Sequence, residues 1–345
     1  MMTSTGISSY KSDLESANTT KEPCECHVAE WPPDDRWHDK KDTKGYQWKE
    51  KLCAVRYLDR GGFGEVYLGH RKIEHSQGQK RVCKNEELAI KICETTKSDN
   101  EKKDKEDEKR IRTEFEVLKM LHGKTTIVKT IKRMTIPLGS KTIWAIAMEY
   151  CSNGNLNTYF KKKNIQEGEA QCQYLAQKIL HSVVEGLIAL YEKDYFHRDI
   201  KKNNIFVTGD EKFKLGDFGL VASCDEPTTI TCGTPTAMAP EMNGKNRYDK
   251  KVDIWSLGIL LYKLLYGKNP FDPNNGKPEN ENATEIRRRS CTEKLSFPSY
   301  SVSVSEEARD LLKKMLEKDP TRRIDLNKIR QHPYLTSPSS VFVNR

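Results

Sequence analysis

Near residue 150 the residue pattern changes its period, and this change limits the possible folds more than any other property of the chain. Before it, short runs rich in β-branched and aromatic residues are separated by glycine and polar segments, as in Thr142–Met148. After it, apolar residues recur every three or four positions, as Leu175, Ile179 and Val183 do. That period is typical of a helix packed on a core. We therefore predict a β-rich part followed by a mainly helical part.

The elements expected on each side of the change follow from these periods. The β-rich part is predicted to contain four strands and one helix, at Ala54–Leu58, Val66–Leu68, Glu87–Ile92, Thr142–Met148 and Arg112–Leu121 respectively. The helical part is predicted to contain a long helix around Ile179 and a hairpin that turns at Gly209-Asp210. Its other predicted elements are the strands Ile205–Val207 and Phe213–Leu215 and the helices Val252–Tyr266, Ser305–Leu316 and Leu326–Arg330. A cleft between two such lobes is a common place for a ligand.

Length and composition set the domain organisation. A chain of 345 residues exceeds the size at which one core usually divides. The N-terminal segment is polar and is predicted to be mostly disordered, although Trp31, Trp37 and Trp48 leave open that part of it docks on the body. The predicted folded domain is 52–335. In chain order the parts are a tail 1–51, a first lobe 52–150, a second lobe 151–335 and a C-terminal tail 336–345.

No stretch predicts a membrane span or an exported chain. The most apolar stretch, Ile254–Tyr266, is interrupted by Lys263 and is shorter than a bilayer requires. The N-terminus lacks the basic flank and apolar core of a secretory signal. The ten cysteines have no regular spacing. We therefore expect an intracellular protein, cytoplasmic or nuclear or both, with reduced thiols.

The formal net charge of +9 is unevenly distributed. Residues 1–50 carry seven basic and ten acidic side chains, a net charge of −3, so the remainder carries +12. A basic surface can bind nucleic acid. Here, however, basic residues are interleaved with acidic ones, as in 97–112, which is typical of a solvated helical face. We expect no nucleic-acid partner, while a site that handles polyphosphate remains compatible with the charge.

Two features of the β-rich part suit a phosphate site but also have plain structural explanations. The segment Leu58-Asp59-Arg60-Gly61-Gly62-Phe63-Gly64-Glu65-Val66 lies between two predicted strands. Its glycines can bring backbone N–H groups against phosphate oxygens, or can simply form a hairpin turn. Lys91 ends an apolar run and can either point at an anion or reach the surface. Glu114 on the following helix is placed to pair with it.

The strongest chemical signal lies in the helical part. It is the run His197-Arg198-Asp199-Ile200-Lys201-Lys202-Asn203-Asn204, followed by Asp217-Phe218-Gly219 and Ala239-Pro240-Glu241. Together with the glycine segment and Lys91, these motifs resemble those of the protein-kinase family, in its order and at its spacings. The resemblance covers roughly residues 52–335. It implies an α+β, two-lobed protein-kinase fold with a small β-rich N-lobe, one main N-lobe helix and a larger, mainly helical C-lobe.

The resemblance also implies an activity. A serine/threonine protein kinase transfers the γ-phosphate of ATP to hydroxyls of protein substrates. By this resemblance Asp199 would accept or orient the hydroxyl proton, and Lys201 would neutralise the γ-phosphate. Lys91, held by Glu114, would bind the α- and β-phosphates. A lysine at the place of Lys201 marks serine/threonine rather than tyrosine kinases in the family.

Cofactor residues are implied in the same way. Two Mg²⁺ ions would be held by Asn204 and Asp217. The backbone of Glu149–Cys151 would bond the adenine edge, and apolar side chains would line the adenine pocket while also serving as core. The full set of implied ATP contacts is Leu58, Asp59, Arg60, Gly61, Gly62, Phe63, Gly64, Glu65, Val66, Ala89, Lys91, Met148, Glu149, Cys151 and Phe206.

Four positions depart from the usual family pattern. Asp59 stands at the first glycine position of the loop, and we expect modestly weaker ATP binding. Ala237 stands where a tyrosine is common, which makes substrate docking less predictable. Asn155 and Asn203 are neutral where kinases that select arginine carry acids, so we expect no strong demand for arginine upstream of the target residue.

Regulation by an upstream kinase is also implied. Thr228, Thr229 and Thr231 lie in the activation segment, and a phosphate on one of them would add nearly two negative charges near Arg198. The resemblance further implies structural roles for an ion pair between Glu241 and Arg323, and for Asp253 as an anchor of the catalytic loop.

Three alternatives stay open on the sequence. A pseudokinase would keep the fold without turnover and would be expected to lack Lys91, Asp199 or Asp217, all of which are present. A nucleic-acid-binding module would use the positive charge. A small-molecule kinase would be expected to lack the Gly-Thr-Pro…Ala-Pro-Glu segment. The sequence assigns no subfamily, protein substrate or activator.

Overall fold

The chain forms two compact units, which we describe separately. The first comprises the described residues up to Phe115 together with Lys129–Tyr150, and the second comprises Glu116–Val128 and the described residues from Cys151 onward. The sequence pattern placed 116–128 in the first lobe. The computed structural model describes residues 48–61, 64–77, 80–96, 101–138, 141–225, 229–243, 247–273, 278, 280–298 and 304–337.

The first unit is an antiparallel sheet of five strands in the order β1-β2-β3-β5-β4. Its elements are β1 (Trp48–Gly61), β2 (Gly64–Gln77), β3 (Lys80–Thr96), α1 (Glu101–Met120), β4 (Thr130–Leu138) and β5 (Lys141–Glu149). The four predicted strands and the helix are present and longer than predicted. The sequence predicts no strand at β4, which contains Pro137 and lies at the edge of the sheet, where proline is tolerated. β1 begins at Trp48, inside the segment assigned to the tail.

Strand alternation divides the side chains of β3 between two faces of the sheet. Leu88 and Ile90 are buried with Met134, Ala145 and Ala147 in one apolar cluster. The alternate residues of β3 therefore point to the opposite face. That face carries the lysine discussed below.

Helix α1 is fixed to the sheet near its residue Phe115. The ring of Phe115 meets that of Trp144 edge-on, with centroids 5.4 Å apart. The Arg133 guanidinium donates to the Phe115 carbonyl oxygen at 2.6 Å and also lies 5.7 Å from the centroid of the Phe115 ring. These contacts set the position of the neighbouring residue, Glu114.

The second unit is mainly helical. Its helices are α2 (Leu156–Lys163), α3 (Ala170–Tyr191), α4 (Lys251–Tyr266), α5 (Ala283–Thr292), α6 (Glu306–Met315), α7 (Leu326–Arg330) and α8 (Pro333–Thr336). Its short strands are β6 (Tyr195–Phe196), β7 (Ile205–Val207), β8 (Phe213–Leu215) and β9 (Ala222–Ser223), which pair as β6 with β9 and β7 with β8. Together the two units confirm the predicted α+β class. No helix within the described ranges has the length and apolar character needed to cross a bilayer.

The prediction of this unit succeeded where the apolar pattern is long. Helices α3, α4, α6 and α7 and the β7–β8 hairpin are confirmed, and α4 is buried on nearly all sides, as its apolar sequence requires. Helix α5 was not predicted, because Ile286 is the only large apolar side chain that it buries. Helices α2 and α8 were also not predicted, because they are too short to show a helical period of apolar residues.

A buried arginine ties three segments of the second unit together. Arg323 forms a two-pronged ion pair with Glu241, at 2.6 and 3.0 Å, which confirms the implied pair. It also donates to the carbonyl oxygens of Glu317 and Lys251, at 2.8 Å each. Its guanidinium lies 5.2 Å from the ring centroid of Trp255, which is fully buried. All of these bonds depend on a planar guanidinium fork, which lysine does not have.

Replacement of Arg323 by alanine is expected to lower the free energy of unfolding by about 3 kcal/mol, because Glu241 loses its partner in a largely buried site. Arg322→Ala is the matched control. Its side chain is 73% exposed and 3.7 Å from the nearest acid, so a change within about 0.5 kcal/mol is expected. Urea denaturation of both variants measures the difference. Equal stabilities would contradict the structural role of Arg323.

Candidate active site

The glycine segment forms the hairpin between β1 and β2. Gly61 pairs with Gly64 across it, and the two loop residues, Gly62 and Phe63, lie outside the described residues. A Cβ on Gly64 would lie 2.4 Å from the carbonyl oxygen of Ile92. Glycine is therefore required at 64 by the close approach of β3, whatever ligand the hairpin holds. Asp59 is exposed, and its carboxylate accepts the N–H of Arg60 at 2.7 Å.

Four of the implied ATP contacts share one face of this sheet. Val66 is paired with Lys91, and Ala89 is paired with Met148. Paired residues of antiparallel strands point to the same side, and Ala89 and Lys91 are two positions apart on β3. This face is opposite the cluster of Leu88 and Ile90 described above.

Of the other implied ATP contacts, Leu58 lies on β1, whereas Glu149 ends β5 and Cys151 comes two residues later. Leu58 lies at a register shift between Tyr57 and Asp59. The N–H of Glu149 donates to the Lys129 carbonyl oxygen at 2.9 Å, so that N–H is already used. The Glu149 carboxylate in turn accepts the N–H of Lys129 at 2.6 Å. Cys151, which follows, is buried and belongs to the second unit.

Lys91 and Glu114 form a buried ion pair in the first unit. The ammonium group donates to both carboxylate oxygens of Glu114, at 2.7 and 3.0 Å. Both residues are nearly inaccessible, with 5% and 3% exposure. The alternative explanation, in which the Lys91 side chain reaches the surface, is therefore wrong. A fixed ammonium on a β-strand suits recognition of an anion, and Glu114 keeps it from changing rotamer.

In the second unit, the segment His197–Asn204 is anchored by Asp253 on the first turn of α4. The Asp253 carboxylate accepts the backbone N–H groups of His197 and Arg198, each at 2.7 Å. Asp253 is fully buried. Burial raises its pKa, while the nearby His197 and these hydrogen bonds act in the opposite direction. Arg198 has a φ of 69°, a left-handed conformation that non-glycine residues adopt only when neighbours hold them there.

The histidine of this segment has a defined tautomer. Its Nδ1 accepts the N–H of Asp199 at 3.3 Å, so its proton lies on Nε2, which faces the Gly216 carbonyl oxygen at 3.1 Å. The ring also packs against Phe218, with centroids 5.2 Å apart. His197 thus joins the segment to the chain that leads into Asp217.

The Asp199 carboxylate is held from both sides. Its Oδ2 accepts from Lys201 at 2.7 Å and from the Asn204 amide at 3.0 Å. Its Oδ1 accepts from the Thr234 hydroxyl at 2.8 Å. Asp199 is 8% exposed. This arrangement fixes a carboxylate that can accept a proton or a hydrogen bond from a reacting hydroxyl.

Asn204 and Asp217 lie at the adjacent ends of the β7–β8 hairpin. Ile205 pairs with Leu215, and the N–H of Gly216 donates to the Asn204 carbonyl oxygen at 2.9 Å. Asp217 follows directly, with a φ of 55°. The Asn204 amide nitrogen faces Asp199, so its Oδ1 is the side-chain atom suited to a cation. An amide and a carboxylate oxygen are ligands that Mg²⁺ prefers. Phe206, half-buried on β7, lies beside Gly216, where a Cβ would be 2.8 Å from its ring.

Sequence reasoning missed Thr234 as a partner of Asp199. It is positioned by Gly233, which has a φ of 95° and whose Cβ would lie 2.4 Å from the Arg198 carbonyl oxygen. The segment Gly233–Thr234 therefore crosses close over the catalytic segment. The sequence signal was the Gly-Thr-Pro run itself, which the motif comparison assigned to peptide docking.

Two of the three candidate phosphorylation sites, Thr229 and Thr231, lie within the described residues. Thr228 lies outside the described residues. Thr229 and Thr231 are exposed, and the Thr231 hydroxyl donates to the Met242 carbonyl oxygen at 3.2 Å. Arg198 donates to the Leu220 carbonyl oxygen at 2.5 Å and to the Tyr248 hydroxyl at 3.4 Å.

Comparison with known proteins agrees with the motifs. A sequence model described as "Protein kinase domain" matches residues 54–335. The chain is 36% identical over 201 residues to a maize protein called "Probable serine/threonine-protein kinase CCRP1", which covers 57% of the chain and 30% of the relative. It is 30% identical over 288 residues to "Fatty acyl-CoA synthetase and RNA processing-associated kinase 1" of Saccharomyces cerevisiae, covering 82% of the chain and 31% of the relative. It is 33% identical over 202 residues to "Serine/threonine-protein kinase PLK4" of Aedes aegypti, covering 56% and 24%. The chain thus spans a third or less of the length of these relatives.

Gly64→Ala is expected to lower the free energy of unfolding by about 1–3 kcal/mol, because its Cβ meets a backbone oxygen that cannot move without shifting β3. Asp59→Ala on the paired strand is the control, with an expected change within about 0.5 kcal/mol. Thermal or urea unfolding measures both. A Gly64→Ala variant as stable as the control would show that the close approach of β3 does not require glycine at this position.

Proposed function

The chain belongs to the protein kinase domain family, and we propose that it transfers the γ-phosphate of ATP to serine and threonine hydroxyls of protein substrates. The observation that carries this proposal is the Asp199 carboxylate, held by Lys201, Asn204 and Thr234. A pseudokinase would have no need of this arrangement. Phosphoryl transfer depends mainly on positioning and charge neutralisation, which such a rigid set of groups supplies.

In the proposed reaction, Asp199 orients the acceptor hydroxyl and takes up its proton. Its two carboxylate oxygens have different partners, so the carboxylate cannot rotate freely. The Lys201 ammonium group donates to Asp199, and the Lys201 side chain is 33% exposed. Because it is partly exposed, the same ammonium group can also contact a transferred phosphate. Lysine at this place supports serine and threonine, rather than tyrosine, as acceptors.

ATP binding in the proposal uses the face of the sheet that carries Val66, Ala89, Lys91 and Met148. Lys91 binds the α- and β-phosphates, and Glu114 holds its ammonium in position. The apolar members of this face pack against adenine. Gly61 and Gly64, which pair across the β1–β2 hairpin, contribute no side chains to this face.

Mg²⁺ bound with ATP neutralises phosphate charge, and we propose that Asn204 and Asp217 hold two such ions. Among the described residues there is no group of three or more histidine, cysteine, aspartate or glutamate side chains that could hold a metal alone. With these two protein ligands, phosphate oxygens and water would complete the coordination, so we expect metal binding to depend on the nucleotide.

We further propose control by an upstream kinase that modifies the activation segment. Thr229 and Thr231 are exposed, and Arg198 lies within the catalytic segment with its guanidinium directed at Leu220 and Tyr248. A phosphate near this arginine would compete for its donors and order the segment. The site of action is proposed to be intracellular, with no nucleic-acid partner.

The activity is tested by transfer of labelled phosphate from ATP with Mg²⁺ to a generic protein substrate, followed by phosphoamino-acid analysis. Label is expected on serine and threonine. Asp199→Asn and Asp217→Ala are each expected to lower kcat by about 10²-fold or more, because each removes a carboxylate of the reaction site. Asp210→Asn, in the exposed turn after β7, is the matched control and should retain the wild-type rate.

The result can contradict the proposal in two separate ways. Label on tyrosine would mean that Lys201 does not report the acceptor type. Absence of transfer, also after phosphorylation of the activation segment by an added kinase, would favour the pseudokinase alternative. Asp59→Gly would then show whether the departure in the glycine loop is the cause.

Glu114→Gln tests the ion pair of the ATP site. Loss of the charge leaves Lys91 buried with a weaker partner, so the KM for ATP is expected to rise about tenfold or more. Glu116→Gln, an exposed residue on the same helix, is the control and should leave the KM unchanged. Equal KM values for the two variants would show that Lys91 does not need the charge of Glu114 to bind phosphate.

A further inference from the structure

A cavity in the second unit is lined by residues of the catalytic segment, by residues of 234–237 and by residues of α4. Its floor is apolar and includes Ile259 and Leu260 of that helix. The polar residues that line it are three lysines, three hydroxyl residues and one amide, namely Lys201, Lys202, Lys263, Thr234, Thr236, Ser256 and Asn203. Thr234 links the cavity directly to Asp199, because its hydroxyl bonds that carboxylate at 2.8 Å.

All charged side chains that line this cavity are lysines. The carboxylates that contact Lys201 and Lys202, namely Asp199 and Glu167, are not among the lining residues. The remaining side chain at the mouth, Asn203, is a neutral amide held by Asn157 at 2.7 Å. The residues that line the cavity thus include three lysines and no acid.

The walls of the cavity are held in place by their own hydrogen bonds. The Ser256 hydroxyl donates to the Ala237 carbonyl oxygen at 2.8 Å. The Asn269 amide donates to the Thr236 carbonyl oxygen at 2.8 Å. Ala237 contributes only a methyl group to the lining, so its side chain takes up little of the cavity. A preformed cavity loses little entropy when it is filled.

We propose that this cavity binds an anionic side chain of the protein substrate, close in sequence to the acceptor hydroxyl, so that the enzyme selects acidic substrates. The proposal rests on the proposed kinase function. Ammonium groups form charge-assisted hydrogen bonds with carboxylate or phosphate oxygens, and they repel arginine and lysine. A single bonded contact separates the cavity from Asp199, so the anionic residue lies within about two positions of the acceptor.

The test uses peptides of one sequence with one serine acceptor. At each position from two before to two after the serine, the peptides carry alanine, aspartate, phosphoserine or lysine. At one of these positions, aspartate or phosphoserine is expected to raise kcat/KM about tenfold over alanine, because one charge-assisted hydrogen bond contributes about that factor. Lysine at the same position is expected to lower kcat/KM. A larger gain with phosphoserine than with aspartate identifies a phosphate site, and an equal gain identifies a carboxylate site.

Two variants assign the preference to the cavity. Lys263→Gln removes one ammonium group, and Ala237→Leu fills the space from the opposite wall without changing the charge. Each is expected to reduce the ratio of kcat/KM for the acidic and alanine peptides toward one. Lys313→Gln, an exposed lysine of α6 that does not line the cavity, is the matched control and should keep the wild-type ratio.

The outcomes separate this proposal from the function on which it rests. Phosphorylation of all peptides at equal rates, or faster phosphorylation of the lysine peptides, would overturn the anionic specificity and leave the kinase function intact. An acidic preference that survives both cavity variants would place its origin elsewhere and overturn the role of the cavity. Failure of the wild-type chain to phosphorylate any peptide or protein would overturn both proposals.

Discussion

The buried carboxylate of Asp253 is the contact on which the rest of the reaction site depends. It stands on the first turn of α4, the most completely buried helix, and accepts the N–H groups of two consecutive residues, His197 and Arg198. A carboxylate in such a place is costly to bury, and burial raises its pKa. The two hydrogen bonds offset part of that cost and hold Arg198 in its left-handed conformation. The catalytic segment is thereby fixed to the rigid core and not to another loop.

Each further group of the site is then positioned by the one before it. The fixed turn at Arg198 sets its carbonyl oxygen, over which only a glycine, Gly233, can pass. Gly233 carries Thr234 to one oxygen of Asp199, while Lys201 and Asn204 occupy the other. The same Thr234 opens onto the lysine-lined cavity. Acceptor orientation and the proposed choice of substrate therefore depend on one continuous set of backbone contacts.

The sequence was sufficient for elements with a long apolar period and for residues that belong to a contiguous motif. Helices α3 and α4 and the run from His197 to Asn204 are examples. It was insufficient where the decisive contact joins distant segments: the bond of Thr234 to Asp199 and the cavity at Lys263 appear only after folding. Helix α5 and strand β4 were missed for a related reason, since burial in each rests on tertiary contacts that no local period reports. The packing requirement for glycine at 64 was also not predictable, because the atom that excludes a side chain there is the Ile92 carbonyl oxygen on β3.

The two units also differ in the partners that position their buried charged groups. In the first, the Lys91 ammonium donates to Glu114, whose helix is fixed to the sheet by Arg133 and Phe115. In the second, Asp199 is held by three donors from two segments. Loss of Glu114 thus removes a charged, buried partner of the Lys91 ammonium, whereas loss of one of the three donors to Asp199 leaves two. Variation among the donors to Asp199 can therefore alter substrate choice in the proposed acceptor site without abolishing the position of the carboxylate.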